Sequence, residues 1–415
     1  PGATAPGPPT AVAAQPFSNS VKLTWTAPAD NGGAAIEGYR IERSDASGMI
    51  WTPIVADTEN TDTSYSDPDI VPGAAYQYRV YAINDEGTGA EYDTSNTVEP
   101  GTEVFVSGWD TTAISDGSSD ENQVVLPLQG CDVQEYDFRV YWGDGTWEAV
   151  ATGGVLLHTY DNPGSYAISI TGTIKGFSFD GSGDRLKLRQ VSNWGSLGLG
   201  NCGGYFSGAE YLTVPATDAP DLSGVTTLAN TFNNADSFNS DITNWDTSAV
   251  EDFSGMFANT EIFSLPLSSL NTASATSMAG MFNNAASFNS VLEPTGGGWD
   301  VVGVEDMSSM FSNAQLFNQN ISNWDTRTVQ NMSGMFASTP AFNQPIGEWD
   351  TGAVTSMVNM FLGSSVFDQD LGTWDIADVT DMSGMFEDTA GLSTPNYNAL
   401  LTGWAGQTVQ PNVPL

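Results

Sequence analysis

The sequence predicts a mainly β chain: two N-terminal β-sandwich modules, then a solenoid of short strands and short helical turns, closed by a C-terminal cap helix. Three observations carry this. Short segments of alternating apolar and polar residues, punctuated by turn residues, fill residues 1–180. From Leu222 to Leu392 one pattern of 25 residues returns about seven times, with a single longer step of 29 residues. Residues 395–415 then carry apolar side chains at helical spacing.

Residues 1–10 are rich in Pro and Gly and read as an extended linker. Ser20–Trp25, Gly38–Arg43 and Ala75–Ile83 alternate as half-buried strands do. The loops between them hold turn residues: Pro28, Asp30-Asn-Gly-Gly33 and Pro72-Gly73. An antiparallel sandwich over residues 1–101 follows. Leu23-Thr-Trp25, Gly38-Tyr39, Ile70–Val80, Asn84 and Gly87 make it resemble the fibronectin type III family. The resemblance implies that Trp25 is a core residue and that the Tyr76 hydroxyl bonds backward to the backbone. Arg-Gly-Asp is absent, so integrin binding does not carry over.

Residues 102–180 are again strand-rich, with Tyr136–Trp142 alternating and Gly143-Asp-Gly145 as a tight turn. Trp142-Gly-Asp-Gly-Thr146, His158-Thr-Tyr160 and Pro163-Gly-Ser-Tyr166 resemble the PKD (polycystic kidney disease) domain, a small β-sandwich. That resemblance puts His158 in a structural hydrogen-bond network. Residues 181–221 read as the N-terminal cap of the solenoid. Leu186–Val191 is a strand candidate, a glycine-rich stretch holds Cys202, and Tyr205-Phe206 with Tyr211 form a degenerate repeat.

Within residues 222–394 the consensus is Phe-Asn-x-x-Ile-x-x-Trp-Asp-Thr-x-x-Val-x-x-Met-Ser-x-Met-Phe-x-x-Ala. Phe257, Phe282, Phe311, Phe336, Phe361 and Phe386 mark one position, and Trp245, Trp299, Trp324, Trp349 and Trp374 another. Recurrence at the period of the fold makes these core residues. Phe238 to Ile242 is the expected strand, and Val329, Met332, Met335 and Phe336 fall on one face of a helical or 3₁₀ turn. This is leucine-rich-repeat-like geometry, with Glu293–Gly298 as a bulging corner loop. The Asp after Trp and the Asn after Phe suit internal hydrogen-bond ladders. Cations between stacked carboxylates are the rival arrangement, and calcium is the cofactor it would bring.

With these repeats and the closing Asn396–Trp404, the region from Val104 onward resembles the BspA-like surface proteins. The resemblance implies secretion, a cell-surface location, and adhesion or matrix binding. A bond between Cys131 and Cys202 would suit that location and stabilise by roughly 4 kcal/mol in the chain-entropy account. Two free thiols are the alternative. In residues 395–415, Tyr397, Leu400, Leu401 and Trp404 predict an amphipathic cap helix.

Charge narrows the partners. The chain has 10 Lys+Arg against 50 Asp+Glu, a formal net charge of −40. From residue 190 onward one basic residue, Arg327, faces 23 acidic ones. Such a surface repels phosphate backbones and anionic membranes, and favours a basic partner, divalent cations or high salt. No apolar run is long enough for membrane insertion within this segment. No nucleophile elbow, phosphate loop or zinc pattern is present, so no enzyme is expected. The expectation is an extracellular adhesion or binding protein whose acidic solenoid meets a protein, glycan or matrix ligand. The alternative is a subunit that assembles with copies of itself into a surface layer or filament.

Overall fold

The computed structural model describes residues 2–18, 20–45, 48–71, 73–101, 103–128, 136–292, 299–389 and 391–414. The chain is mainly β, with one α-helix near the C terminus among the described residues.

The first module contains β1 (Thr10–Pro16), β2 (Val21–Thr26), β3 (Ile36–Asp45), β4 (Trp51–Val55), β5 (Ser64–Asp67), β6 (Tyr76–Asn84), β7 (Gly87–Thr88) and β8 (Asp93–Thr94). β1, β2 and β5 form one antiparallel sheet and the others a second. Alternation in β2 and β6 sends Val21, Leu23, Trp25, Tyr78, Val80 and Ala82 into the core between them. The Trp25 ring meets Tyr39 edge-on at 5.0 Å. The Val71 N–H donates to the Tyr76 hydroxyl at 2.9 Å, the backward bond expected of that tyrosine.

The second module contains β9 (Phe105–Asp110), β10 (Gln123–Leu126), β11 (Tyr136–Tyr141), β12 (Trp147–Val150), β13 (Leu156–Thr159), β14 (Ser165–Lys175), β15 (Leu188–Asn193) and β16 (Leu197–Gly198). Its main sheet runs β12-β11-β14-β9-β15, with β16 parallel to β14, while β10 and β13 pair separately. β15 therefore belongs to this sheet although it lies in the stretch read as a solenoid cap. Leu186, expected in that strand, instead ends a 3₁₀ turn over Gly183–Leu186. On its outer edge β15 meets the solenoid: the Val191 N–H donates to Thr213 O and the Thr213 N–H to Arg189 O. The last strand of the sheet is thus the first rung of the solenoid, and one apolar cluster runs unbroken from Phe105 to Trp404. The first module keeps its own cluster, which takes in Tyr141 from β11. The Gln15 amide spans the same junction, donating to Ala167 O and Ser169 Oγ.

A buried ion pair pins the loop before β10. Lys187 is fully buried, and its ammonium donates to Ser119 O, Ser119 Oγ, Asp120 O and Gln123 O at 2.8–2.9 Å. It sits 3.4 Å from Asp184, whose carboxylate accepts from the Ser119 and Val125 N–H groups and from Ser119 Oγ. Burial pushes the Lys187 ammonium below its usual range, and the Asp184 charge opposes that fall.

In the solenoid the rung lies elsewhere than the expected Phe238–Ile242 segment, which carries no strand. Single parallel bridges link Thr227, Asp252, Ser277, Asp306, Asn331, Ser356 and Asp381, each two residues after the Val position of its repeat. The Met-Ser-x-Met-Phe run that follows is a chain of turns whose N–H groups alternate in direction. Those of Met332, Gly334, Phe336 and Ser338 cross to Ser356, Val358, Met360 and Leu362. Those of Met335, Ala337 and Thr339 turn back three residues within the coil. Alternation of this kind needs left-handed residues at two positions per coil. Asn230, Gly255, Gly280, Ser309, Gly334, Asn359 and Gly384 fill the first, all with φ between 54° and 66°. Gly and Asn predominate there because a Cβ crowds the left-handed backbone and they tolerate it best.

The cap helix α1 spans Thr394–Trp404. Its inward face is narrower than expected: Leu400 and Trp404 are buried, whereas Tyr397 and Leu401 are about half exposed.

Candidate binding surface

Each residue of the repeat motif has a separate task. Every Phe of the first set is stacked on the next at 5.6–5.8 Å, from Phe206 through Phe232 to Phe386. The Phe282–Phe311 step keeps this spacing despite the longer repeat, so the stack is undisturbed by the extra residues. Glu293–Gly298, the expected corner loop, lies outside the described residues. The Trp indoles of Trp324, Trp349 and Trp374 donate to the preceding coil at Leu292 O, Ile321 O and Ile346 O. Trp404 continues the series from the cap helix, donating to Leu371 O at 3.0 Å. Trp245 and Trp299 are buried as well, but the Trp299 indole N–H has no partner among the described residues. Trp349→Phe therefore destabilises the chain by about 1–3 kcal/mol more than Trp299→Phe, because only the former strands a buried carbonyl. Urea unfolding of the two variants checks this.

The Asp after Trp stays within its own coil. Asp246, Asp300, Asp325, Asp350 and Asp375 each accept the N–H two residues on, a local Asx turn. The Thr beside it crosses coils: buried Thr247, Thr272, Thr326 and Thr351 donate to Asn271 O, Asp300 O, Asp350 O and Asp375 O. The inter-coil ladder at the other corner is built by Asn. Asn289, Asn318 and Asn343 accept the next coil's N–H at Asn318, Asn343 and Asp368, and also its Gln amide. Among the described residues no cluster of three or more His, Cys, Asp or Glu is arranged to hold a metal ion.

His158 stacks on Trp142 at 4.6 Å, and its Nε2 lies 2.8 Å from Asp144 Oδ2. Tyr160 sits against His158 and donates its hydroxyl to Trp142 O. Burial alone would raise the Asp144 carboxyl, but hydrogen bonds from His158 and Thr146 outweigh it and hold the group down to about 2. Its stabilisation is complete above the ordinary value of 3.8 and is lost as pH falls through about 2. Asp144→Asn flattens the stability of the second module over that window, which thermal melts across pH measure.

Cys202 is disulfide-bonded, while Cys131 lies outside the described residues. In the degenerate first repeat the buried position six residues after Phe206 belongs to Leu212, not Tyr211. Tyr211 is exposed, with Arg189 over its ring at 4.3 Å. The same outward position in later coils holds Ile262, Leu316 and Val366, each about half exposed. These four alternate with Ser237, Ser287 and Ala341, so a large apolar side chain emerges on every second coil. Glu210, Asp236 and Glu261 stack beside this line; burial and the two neighbouring charges push the Asp236 carboxyl above its ordinary range. Arg327 is held by Asp325 in its own coil. A cleft of about 660 Å³ opens between the first and second modules, lined by Glu99, Glu103, Asp137 and Arg139 among others.

Residues 7–98 match the fibronectin type III domain. The chain is 35% identical over 92 residues to fast-type myosin-binding protein C of Gallus gallus, covering 22% of this chain and 8% of that one. It is 34% identical over 100 residues to protein sidekick-2 of Mus musculus, covering 24% of this chain and 4% of that one. The chain thus spans less than a tenth of these relatives. Among solved structures, titin domains A168–A170 are 32% identical, with TM-score 0.22, covering 23% of this chain and 32% of that one. An Fn3-like protein from Clostridium thermocellum is 29% identical, with TM-score 0.18, covering 23% and 93%. Residues 200–295 and 293–400 match a family described as Mycoplasma protein of unknown function, DUF285. The fibronectin domain belongs to a class of modules that serve structural and binding roles. Among the described residues no helix is long and apolar enough to cross a membrane.

Two features escaped the sequence reading. Trp194 opens the Trp series, its ring 5.5 Å from Trp245 across the coil that has Pro220 instead. The signal was present, because Asn193-Trp194 repeats the Asn-Trp pair of Asn244-Trp245 and Asn323-Trp324. The Lys187–Asp184 pair had no such signal, since its partners at Ser119, Asp120 and Gln123 come from a loop more than sixty residues away.

Proposed function

We propose that this chain is a non-catalytic protein of the cell exterior that displays an acidic solenoid on β-sandwich spacers for adhesion or ligand binding. The observation that carries the reading is the unbroken core from Phe105 to Trp404. It joins the second module and the solenoid into one stiff arm, with the fibronectin domain docked behind through Tyr141 and Gln15. The Phe and Trp stripes are spent inside that arm, so recognition falls to the outward positions. There a line of apolar side chains runs through a surface with 23 acidic residues and one basic residue. Such a surface suits a basic protein or matrix ligand, whose approach it steers electrostatically. The PKD-like reading of the second module and the BspA-like reading of the repeats support the same placement.

The test is binding of the immobilised chain to panels of matrix proteins and glycans across salt concentrations. Saturable binding that weakens with salt is expected. Absence of binding, together with ordered fibres or sheets of the purified chain in electron micrographs, would favour the self-assembling subunit instead.

A further inference from the structure

One line of side chains on the outside of the solenoid has a regular relief. Each coil contributes the residue just before its inward Phe or Leu of the second set. Tyr211, Ile262, Leu316 and Val366 are about half exposed there, and the smaller Ser237, Ser287 and Ala341 stand between them. The Phe rings beneath the line, from Phe238 to Phe367, step by 5.8–6.1 Å from coil to coil. From Phe263 to Phe367 successive rings tilt by only 2–10°, so these coils stack almost without twist and the line above them is nearly straight. Its flank is charged at one end only. The residue before the line is Glu210, Asp236 and Glu261 in the first three coils, then Ala286, Gln315, Pro340 and Ser365. The three carboxylates repel one another: burial and the charges of Glu210 and Glu261 raise the Asp236 carboxyl above its ordinary range.

We infer that the line from Tyr211 to Leu316 is a docking site for a basic, amphipathic α-helix of a partner protein. A helix turns once in about 5.4 Å, close to the coil step, so its inward face offers about one side chain to each coil. Small side chains fit over Tyr211, Ile262 and Leu316, and large ones drop between them onto Ser237 and Ser287, as ridges enter grooves. Lys or Arg along one edge of the helix meets Glu210, Asp236 and Glu261 and relieves their repulsion. About sixteen residues of helix span the four coil steps from Tyr211 to Leu316. The mode is recognition of a helix by its apolar face. Charge decides against a second copy as the occupant. From residue 190 onward a copy brings one basic residue, Arg327, which Asp325 holds in its own coil. Its α1, the one α-helix among the described residues, has no Lys or Arg. The inference rests on the binding role proposed above and gives that role a partner class and a place.

The test uses the full chain and a fluorescein-labelled synthetic helix with alternating Ala and Leu on its inward face and Lys along one edge. Binding is read by fluorescence anisotropy. Saturable binding that weakens with salt is expected, with none for the same peptide carrying Glu in place of Lys. Ile262→Ser combined with Leu316→Ser gives these coils the small side chain of their neighbours and should weaken binding by about tenfold or more. Glu210→Gln, Asp236→Asn and Glu261→Gln together should weaken it and flatten its salt dependence. Both sets lie on the surface, so thermal melts of the variants should match the parent. The inference is overturned if the peptide does not bind, if neither set of substitutions weakens it, or if a peptide broken by two central prolines binds as well. A dimer of the parent chain in sedimentation that Ile262→Ser with Leu316→Ser dissolves would overturn it in favour of a second copy. Matrix or glycan binding that the same two substitutions leave intact would overturn this inference and leave the broader binding role standing.

Discussion

Lys187→Met destabilises the second module by about 3–5 kcal/mol, the largest effect expected from a single polar position in the chain. The substitution removes an ammonium that satisfies Ser119 O, Asp120 O and Gln123 O at once. It also leaves the Asp184 carboxylate, 2% exposed, without its counter-charge. Desolvated charge without a partner is the costly state, whatever the intact pair contributes. The loop from Ser115 to Gln123 then loses its anchor, and β10 with it, because Val125 N–H also depends on Asp184. Urea unfolding followed by tryptophan fluorescence measures the loss. The fibronectin domain, whose core takes only Tyr141 from the second module, shifts least.

Phe336→Ala costs about 3–5 kcal/mol and changes the shape of the unfolding transition as well as its midpoint. Phe336 is wholly buried between Phe311 and Phe361, each at 5.8 Å, and lies 4.0 Å from Phe342. Removing the ring opens a cavity in the middle of the stack. Coils in a solenoid are stabilised by their immediate neighbours, so the break separates the array into two parts. The coils before it remain anchored to the second module, and those after it open first. Hydrogen exchange at Phe361 should speed up more than at Phe232 or Phe257. Leu316→Ala, at a position 56% exposed, should stay within about 0.5 kcal/mol of the parent chain.

The coarse architecture was legible because the sequence period and the structural coil are the same length. A Phe that recurs every 25 residues stacks on its own copies, and nothing else in the chain competes for it. The rung was misplaced for a specific reason. The repeat follows neither the strand nor the helix period, because its backbone alternates right- and left-handed residues. The trace of that alternation lies in Gly255, Gly280, Gly334 and Gly384 and in Asn234, Asn259 and Asn284, all left-handed. In the degenerate first repeat the aromatic Tyr211 lies one residue out of register, and the inward position falls to Leu212. On the cap helix, Tyr397 and Leu401 fit the apolar pattern, yet only Leu400 and Trp404 reach the last coil. The binding surface was the least legible part. Its residues vary from coil to coil, so periodicity, the strongest signal in this sequence, is silent about them.

The central claim is that the second module and the solenoid are one body, joined at β15. Phe232→Ala, in the first regular coil, tests it when amide exchange is followed at Val191 and Asp110. Val191 donates across the junction to Thr213, and Asp110 donates to Lys187 inside the sheet. If the two parts share a core, loss of the Phe232 ring speeds exchange at Val191 and, more weakly, at Asp110. Faster exchange confined to the coil, with Val191 and Asp110 unchanged, would contradict the claim and make the solenoid a separate domain.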